Sequence, residues 1–133
     1  MRLYFDSSAL VKLIRAEAET ESLTDFLREH SDDGHVTSTL ARVEVLRAVA
    51  APADGEGLRV ADGLLGALDI VKLTDRVLDD AASLLPGGRL RTLDAIHLAA
   101  ARRVPDLRAV VTYDHRMSQA AADLSLSVVA PGA

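Results

Sequence analysis

Cysteine is absent from the 133-residue sequence, so disulfide bonds and thiolate metal sites are excluded. This absence agrees with a reducing compartment, and we expect the protein in the cytoplasm.

Long apolar runs are missing as well. Arg2, Asp6 and Lys12 interrupt the N-terminal apolar segment, which is too short for a signal peptide, and no stretch approaches the length of a membrane span. We therefore expect no membrane partner.

Aromatic side chains are scarce, at 3% of the chain, and tryptophan is absent. The four that are present, Tyr4, Phe5, Phe26 and Tyr113, are too few to form a platform on which the bases of a single strand could stack. This scarcity argues against a passive strand-binding module.

Apolar residues are abundant, at 49%, and we expect residues 1–133 to form one domain with a full core. The net charge of −5 argues against a general polyanion binder. The charge is uneven, however, because residues 86–116 contain six arginines and three aspartates, a net +3, which leaves −8 for the remainder. A basic rim, meaning arginines that surround an acidic site, would suit a nucleic-acid enzyme. A solvent-exposed helix face would explain the same arginines.

Apolar segments alternate with amphipathic ones along the whole chain. Strands are predicted at residues 2–5, 35–37, 70–73, 109–112 and 127–129. The helices between them are predicted to start at polar caps, which are Ser7 or Ser8, Ser38 or Thr39, Thr74, and Thr92. Several strands are continuous apolar runs, which is typical of a parallel sheet covered on both faces. The pattern therefore predicts an α/β fold with a central, mainly parallel sheet.

Four acidic residues lie in apolar surroundings, namely Asp6, Glu44, Asp94 and Asp114. Asp6 and Asp114 follow predicted strands, and ligands of open α/β sheets bind beyond the carboxyl ends of the strands. Two distant segments thus bring a carboxylate to the same edge. Four carboxylates together would repel one another, and a divalent cation is the simplest compensation. The set predicts a metal-dependent phosphodiesterase.

Each acid also has an ordinary structural explanation. Asp6 and Asp114 could cap a helix, Asp94 lies in the first turn of one, and Glu44 could pair with Arg47 three residues later. One shared site accounts for all four at once, and we prefer it for that reason.

The chemistry matches the residue types, because Mg²⁺ and Mn²⁺ prefer oxygen ligands and can activate a water for in-line displacement. Neighbouring side chains that could support a carboxylate or contact a phosphate are Ser8, Thr112, Arg91 and Arg116. His97 lies one turn after Asp94. We interpret it as a helix-face residue or one that supports a ligand from behind, because the other histidines are scattered.

Together these segments resemble the PIN-domain ribonucleases, specifically the VapC toxins of bacterial toxin–antitoxin pairs. The matching segments are DSSALVKL at 6–13, VTS at 36–38 leading to Glu44, LDAIHLA at 93–99, VTYDHR at 111–116 and VAPG at 129–132. They occur in order and cover essentially the whole chain. One departure is LSL at 124–126, where the family often has a glycine.

The resemblance implies a three-layer α/β/α sandwich, a single PIN-like nuclease domain, and cleavage of RNA that depends on Mg²⁺ or Mn²⁺. By motif position, Asp6, Glu44, Asp94 and Asp114 would be catalytic, with Asp6, Asp94 and Asp114 holding the metal. It also implies a homodimer and a cognate VapB-type antitoxin that lies over the N-terminal helices. That groove would be lined by Leu10, Leu13, Ile14, Leu23, Phe26, Leu27, Leu46 and Val49, for each of which an ordinary core position is the simpler reading.

Other classes stay open at this point. A PIN nuclease with a housekeeping RNA substrate differs from a toxin by lacking a neighbouring antitoxin gene. A Mg²⁺-dependent phosphoryl-transfer signalling domain would want paired acids after the first strand, whereas Asp6 is followed by serines. A haloacid-dehalogenase-like phosphatase would need an aspartate where Ser8 stands. A catalytically inactive binding module would have no use for four repelling acids.

Overall fold

The structure, a computed structural model, describes residues 1–50, 55–84, 86 and 90–133. Its strands are β1 (Arg2–Phe5), β2 (Gly34–Ser38), β3 (Asp69–Val71), β4 (Leu107–Val111) and β5 (Val128–Val129). Its helices are α1 (Ser7–Ile14), α2 (Thr20–Glu29), α3 (Thr39–Val49), α4 (Glu56–Gly66), α5 (Asp75–Ser83), α6 (Thr92–Ala101) and α7 (His115–Asp123). Within this described part, no helix is both long and apolar enough to cross a membrane.

The strands form one sheet in the order β3-β2-β1-β4-β5, and every neighbouring pair is parallel. This arrangement confirms the predicted parallel sheet. From β1 the chain first adds β2 and β3 on one side of the sheet, and it then adds β4 and β5 on the other side. The direction in which strands are added therefore reverses between β1 and β4. At such a switch point the connections leave the sheet toward opposite faces and open a crevice beyond the strand ends.

The two faces of the sheet carry separate cores, because side chains alternate along a strand. On β1, Leu3 and Phe5 pack toward α1, α3 and α4, whereas Tyr4 packs toward α5 and α6. A further group around Leu98 and Met117 joins α6 to α7. Helices therefore cover both faces, which confirms the three-layer α/β/α sandwich.

Two helix starts differ from the sequence prediction. Asp6, not Ser7 or Ser8, caps α1, because its side chain accepts the Ala9 backbone N–H at 3.1 Å. An aspartate in the extended conformation at a strand end reaches the first turn as well as a serine does. Thr92 is the first residue of α6, which begins without a side-chain cap.

Two other predicted caps lie where expected. Thr74 caps α5 by accepting the Val77 N–H at 3.3 Å. Ser38 occupies the capping position of α3 but makes no capping hydrogen bond. From the sequence, the helix that starts at Thr74 is also predicted to extend to Leu85, which lies outside the described residues.

Two glycines of α4 provide a test of its packing. A Cβ at Gly63 would have nothing within 4 Å, whereas one at Gly57 would lie 3.1 Å from the Val49 carbonyl oxygen. Alanine stabilises a helix interior over glycine by about 1 kcal/mol. We expect Gly63→Ala to raise the free energy of unfolding by roughly that amount. We expect Gly57→Ala to gain nothing, because α3 and α4 must move apart. Chemical denaturation of both variants measures the difference, and equal stabilisation would contradict the close approach.

Candidate active site

A pocket opens at the carboxyl edge of the sheet, beyond the β1–β4 switch point. All four acids predicted from the sequence line it, together with two of their predicted neighbours: Asp6, Glu44, Asp94, Asp114, Ser8 and Arg91. They come from separate parts of the chain, namely the start of α1, the middle of α3, the first turn of α6 and the start of α7. The fold thus brings the acids together in the way that the positions of the strand ends predict.

Asp6 is the most buried of the acids, at 3% exposure. Its Oδ1 accepts the Ser8 hydroxyl at 2.6 Å and the Ala9 N–H at 3.1 Å, and its Oδ2 accepts the Thr112 hydroxyl at 2.5 Å. Burial raises the pKa of Asp6, and these hydrogen bonds oppose the rise. Since each carboxylate oxygen has two acceptor positions, one position on Oδ2 stays available to a ligand.

Ser8 and Thr112 do more than cap a turn. The Ser8 hydroxyl, while donating to Asp6, accepts the Tyr113 backbone N–H at 3.0 Å. The Thr112 hydroxyl accepts the Asp114 N–H at 3.1 Å. These two hydroxyls therefore connect the start of α1 to the end of β4, and they fix the backbone that carries Asp6 and Asp114.

Asp94 and Asp114 face each other across Arg91. Burial raises the pKa of Asp94, and the nearby Asp114 charge adds to the rise. The Oδ2 atom of Asp94 is buried and has no hydrogen-bond partner within the part of the chain that the structure describes. Arg91 lies 3.5 Å from that oxygen and 3.7 Å from the Asp114 Oδ2, distances that belong to loose ion pairs. With 58% of its side chain exposed, Arg91 offsets little of the repulsion.

Glu44 does not pair with Arg47. Its Oε1 lies 2.6 Å from Nε2 of His97, and Nδ1 of His97 lies 2.8 Å from the Tyr4 hydroxyl. His97 is only 2% exposed, so it supports Glu44 from behind, as one of the two sequence interpretations held. Tyr4 was not predicted as a site residue, although alternation along β1 places it on the same side of the sheet as Asp6.

Three other arginines of the basic segment, Arg103, Arg108 and Arg116, lie outside the pocket, and Arg89 falls outside the described residues. Arg116 is exposed on α7 and is not among the residues that line the pocket. Arg103 pairs with Asp80 at 2.6 Å. Arg108 binds Asp33 beside the amino end of β1 and lowers the pKa of that carboxyl to about 2. Of the two explanations that the sequence left open, the basic rim therefore does not apply to Arg103 and Arg108, because local acids bind them away from the site.

The donors suit a hard divalent cation in kind, since the pocket offers carboxylate oxygens and one of them, Asp94 Oδ2, is buried without a hydrogen-bond partner among the described residues. Across residues 1–50, 55–84, 86 and 90–133, no three acidic or histidine side chains are grouped closely enough to hold an ion as they stand. Binding of a cation would therefore require these acidic side chains to move closer to one another than they are in this structure.

The groove residues implied by the resemblance divide into two groups. Leu10, Leu23 and Val49 are buried in the core under α1, α2 and α3, and they do not line an open groove. The others are partly buried against the same core: Leu13, Ile14, Phe26, Leu27 and Leu46. The simpler core interpretation holds for the first three, because each points into the sheet face rather than along the helix surface.

Comparison with known proteins connects this geometry to a family. The family model described as PIN domain matches residues 3–123. "Ribonuclease VapC35" of Mycobacterium tuberculosis is 45% identical over 133 residues, covering 98% of this chain and 97% of the relative. "Ribonuclease VapC46" of the same organism is 47% identical over 131 residues, covering 97% of each. Among solved structures, a toxin–antitoxin complex from Klebsiella pneumoniae superposes with a TM-score of 0.72 at 21% identity, covering 98% of both chains.

Proposed function

Because the chain belongs to the PIN domain family, we propose that it is an endoribonuclease that cleaves RNA phosphodiester bonds at the four-acid pocket. The observation that carries the proposal is the convergence of Asp6, Glu44, Asp94 and Asp114 in one pocket at the switch point of the sheet. The printed names of full-length relatives, which are ribonucleases, support the substrate class. Membership of this family also argues against the phosphoryl-transfer signalling domain.

The reaction that we propose depends on Mg²⁺ or Mn²⁺, held by Asp6, Asp94 and Asp114. When bound, the ion would supply an activated water and neutralise the charge that develops on the phosphate. The chain's own residues prepare the site. Ser8 and Thr112 hold the Asp6 carboxylate in one orientation, which leaves an acceptor position on its Oδ2. Glu44 is available to accept a hydrogen bond or a proton from the attacking water, and Arg91 to contact a phosphate oxygen.

Cleavage of end-labelled total RNA by the purified protein tests the proposal. The reactions contain Mn²⁺, EDTA, or Mn²⁺ with the Asp94→Asn variant. We expect discrete fragments only with the wild-type protein and metal, and these fragments would begin to identify the target RNA. Cleavage that persists in EDTA would exclude a metal-dependent site, and cleavage by the variant would exclude the four-acid pocket.

Metal binding is also expected to stabilise the fold, because only the folded chain brings the carboxylates together. A ligand at 100 times its dissociation constant adds about 2.7 kcal/mol to the free energy of unfolding. We therefore expect Tm to rise by several degrees in a titration with Mn²⁺ or Mg²⁺. The Asp94→Asn variant serves as the control and should show a much smaller rise. An unchanged Tm for the wild-type protein across the whole titration would contradict a metal site.

We propose further that the protein is a VapC-type toxin of the cytoplasm, active as a homodimer and neutralised by a cognate VapB-type antitoxin. The support is the family, the names of its relatives, and a solved neighbour described as a toxin–antitoxin complex. Co-expression with the product of an adjacent small gene should abolish RNA cleavage and yield a stable complex. If no such gene lies beside the gene for this chain, and the protein cleaves one RNA at a single site, the protein would instead be a housekeeping PIN nuclease.

A further inference from the structure

Three side chains form a hydrogen-bonded row that leads from the core to the wall of the pocket. The Tyr4 hydroxyl lies 2.8 Å from His97 Nδ1, and His97 Nε2 lies 2.6 Å from Glu44 Oε1. They come from β1, α6 and α3, which are far apart in the sequence. Tyr4 and His97 are at most 2% exposed, whereas the Glu44 side chain keeps 26% exposure at the pocket. The row therefore runs from the core to the one acid that stands on the middle of a helix.

The chemistry of the row assigns its protons. A carboxylate can only accept hydrogen bonds, so His97 Nε2 must donate to Glu44. In a neutral imidazole the other nitrogen is then an acceptor, which requires the Tyr4 hydroxyl to donate to Nδ1. A tyrosine hydroxyl has an ordinary pKa of about 10, so at neutral pH the phenol has the proton that this role needs. The order of donation is Tyr4 to His97 to Glu44.

Nothing else in the described contacts fixes Glu44. Two of the other acids are held by their own helix starts, because Asp6 and Asp114 accept backbone N–H groups from Ala9 and Met117. Glu44 lies in the second turn of α3, where the backbone N–H groups are already used within the helix. Its side chain also has more rotatable bonds than an aspartate, so without a partner it would sample several directions.

We propose that His97 is a positioning residue, oriented by Tyr4, that holds the Glu44 carboxylate toward the reacting phosphate. The proposal rests on the proposed function, since positioning has meaning only at a site where RNA is cleaved. It assigns a role to two residues that act through the Glu44 carboxylate. Partners of this kind, which orient a group at the site, change activity by roughly 10- to 100-fold when removed.

Two substitutions of His97 separate positioning from packing. The glutamine amide nitrogen takes the place of Nε2, so His97→Gln keeps a donor to Glu44. The asparagine amide is shorter and takes the place of Nδ1, so His97→Asn keeps the Tyr4 contact and loses Glu44. We expect His97→Asn to lower kcat by about 10- to 100-fold with little change in KM. We expect His97→Gln to retain most of the wild-type kcat, with a Tm close to that of the asparagine variant.

A measurement on the free protein, without RNA or metal, keeps this inference separate from the nuclease proposal. The ¹⁵N shifts of the His97 ring should report a proton on Nε2 in the wild type, and Tyr4→Phe should weaken that preference. The ¹³C shift of the Glu44 carboxyl should move in His97→Asn and stay in His97→Gln. A proton on Nδ1 alone, or equal kcat in the two His97 variants, would overturn the positioning role. Wild-type protein that cleaves no RNA would overturn the proposed function while leaving the ring assignment measurable.

Discussion

The Asp94→Asn variant is expected to lose RNA cleavage by about a thousandfold or more while folding at least as stably as the wild type. The activity loss follows because a metal contributes several kcal/mol of transition-state stabilisation, and each 1.36 kcal/mol is a factor of ten in rate. The stability follows from the pKa of Asp94, which burial and Asp114 raise. A carboxyl whose pKa rises on folding costs stability at neutral pH, above its unfolded pKa of about 3.9, and asparagine removes that cost.

The matched control is Asp79→Asn, which removes one charge from an exposed position on α5 that is remote from the pocket in sequence and does not line it. It should leave both cleavage and Tm unchanged. Rates are measured on a defined RNA in Mn²⁺, and Tm is measured without metal. Full activity of the Asp94→Asn variant would show that cleavage does not need the Asp94 carboxylate. A large fall in its Tm would show that the ionised carboxyl stabilises the fold, against its raised pKa.

The parts of the fold that local patterns determine could be predicted from the sequence. The apolar run of β1 that ends at Asp6, and that of β4 shortly before Asp114, identified two parallel strands whose carboxyl ends share an edge. Strand and helix boundaries differ from the prediction by only a few residues, because caps and apolar periods are local signals. The family resemblance, confirmed by the PIN domain match, extended this to the three-layer arrangement.

The features of the site that could not be predicted from the sequence depend on contacts between distant residues. His97 meets Tyr4 across 93 residues and Glu44 across 53, and no local spacing encodes either pair. The arginines illustrate the same limit. Arg108 lies in the basic segment by sequence, yet the parallel pairing of β1 with β4 brings it to Asp33, at the edge of the sheet opposite the acids. The net charge of a segment therefore could not decide which of its arginines lie at the pocket, as Arg91 does, and which pair with acids elsewhere.

The acids of the pocket are not equivalent for folding, and Asp6 shows the difference most strongly. Repulsion alone would predict that removing any one of the four charges leaves the fold intact or improves it. That reasoning suits Asp94, whose Oδ2 has no hydrogen-bond partner, but it fails for Asp6. Asp6 accepts hydrogen bonds from the Ser8 hydroxyl, the Ala9 N–H and the Thr112 hydroxyl, all inside the protein. Its loss would leave three donors without their acceptor.

We therefore expect Asp6→Ala to lose cleavage as completely as Asp94→Asn does, and in addition to lower the free energy of unfolding by about 2–4 kcal/mol. The estimate combines a lost helix cap, worth about 1 kcal/mol, with the buried Thr112 hydroxyl, which costs about 1–3 kcal/mol when unpaired, and a smaller contribution from the half-buried Ser8 hydroxyl. Local relaxation and the removal of a buried charge recover part of this cost. Asp6→Asn keeps one acceptor oxygen for Ser8 and Ala9, so its cost should be smaller than that of alanine.

Urea denaturation of Asp6→Ala, Asp6→Asn and Asp94→Ala, without metal, measures these differences directly. The expected order of stability places Asp94→Ala highest and Asp6→Ala lowest, although all three should be inactive on RNA. Equal stability of the two alanine variants would mean that the hydrogen bonds to Asp6 only offset the cost of burying its charge. The predicted order would instead establish that one acid, Asp6, both builds the start of α1 and serves the site, so selection for either property constrains the other.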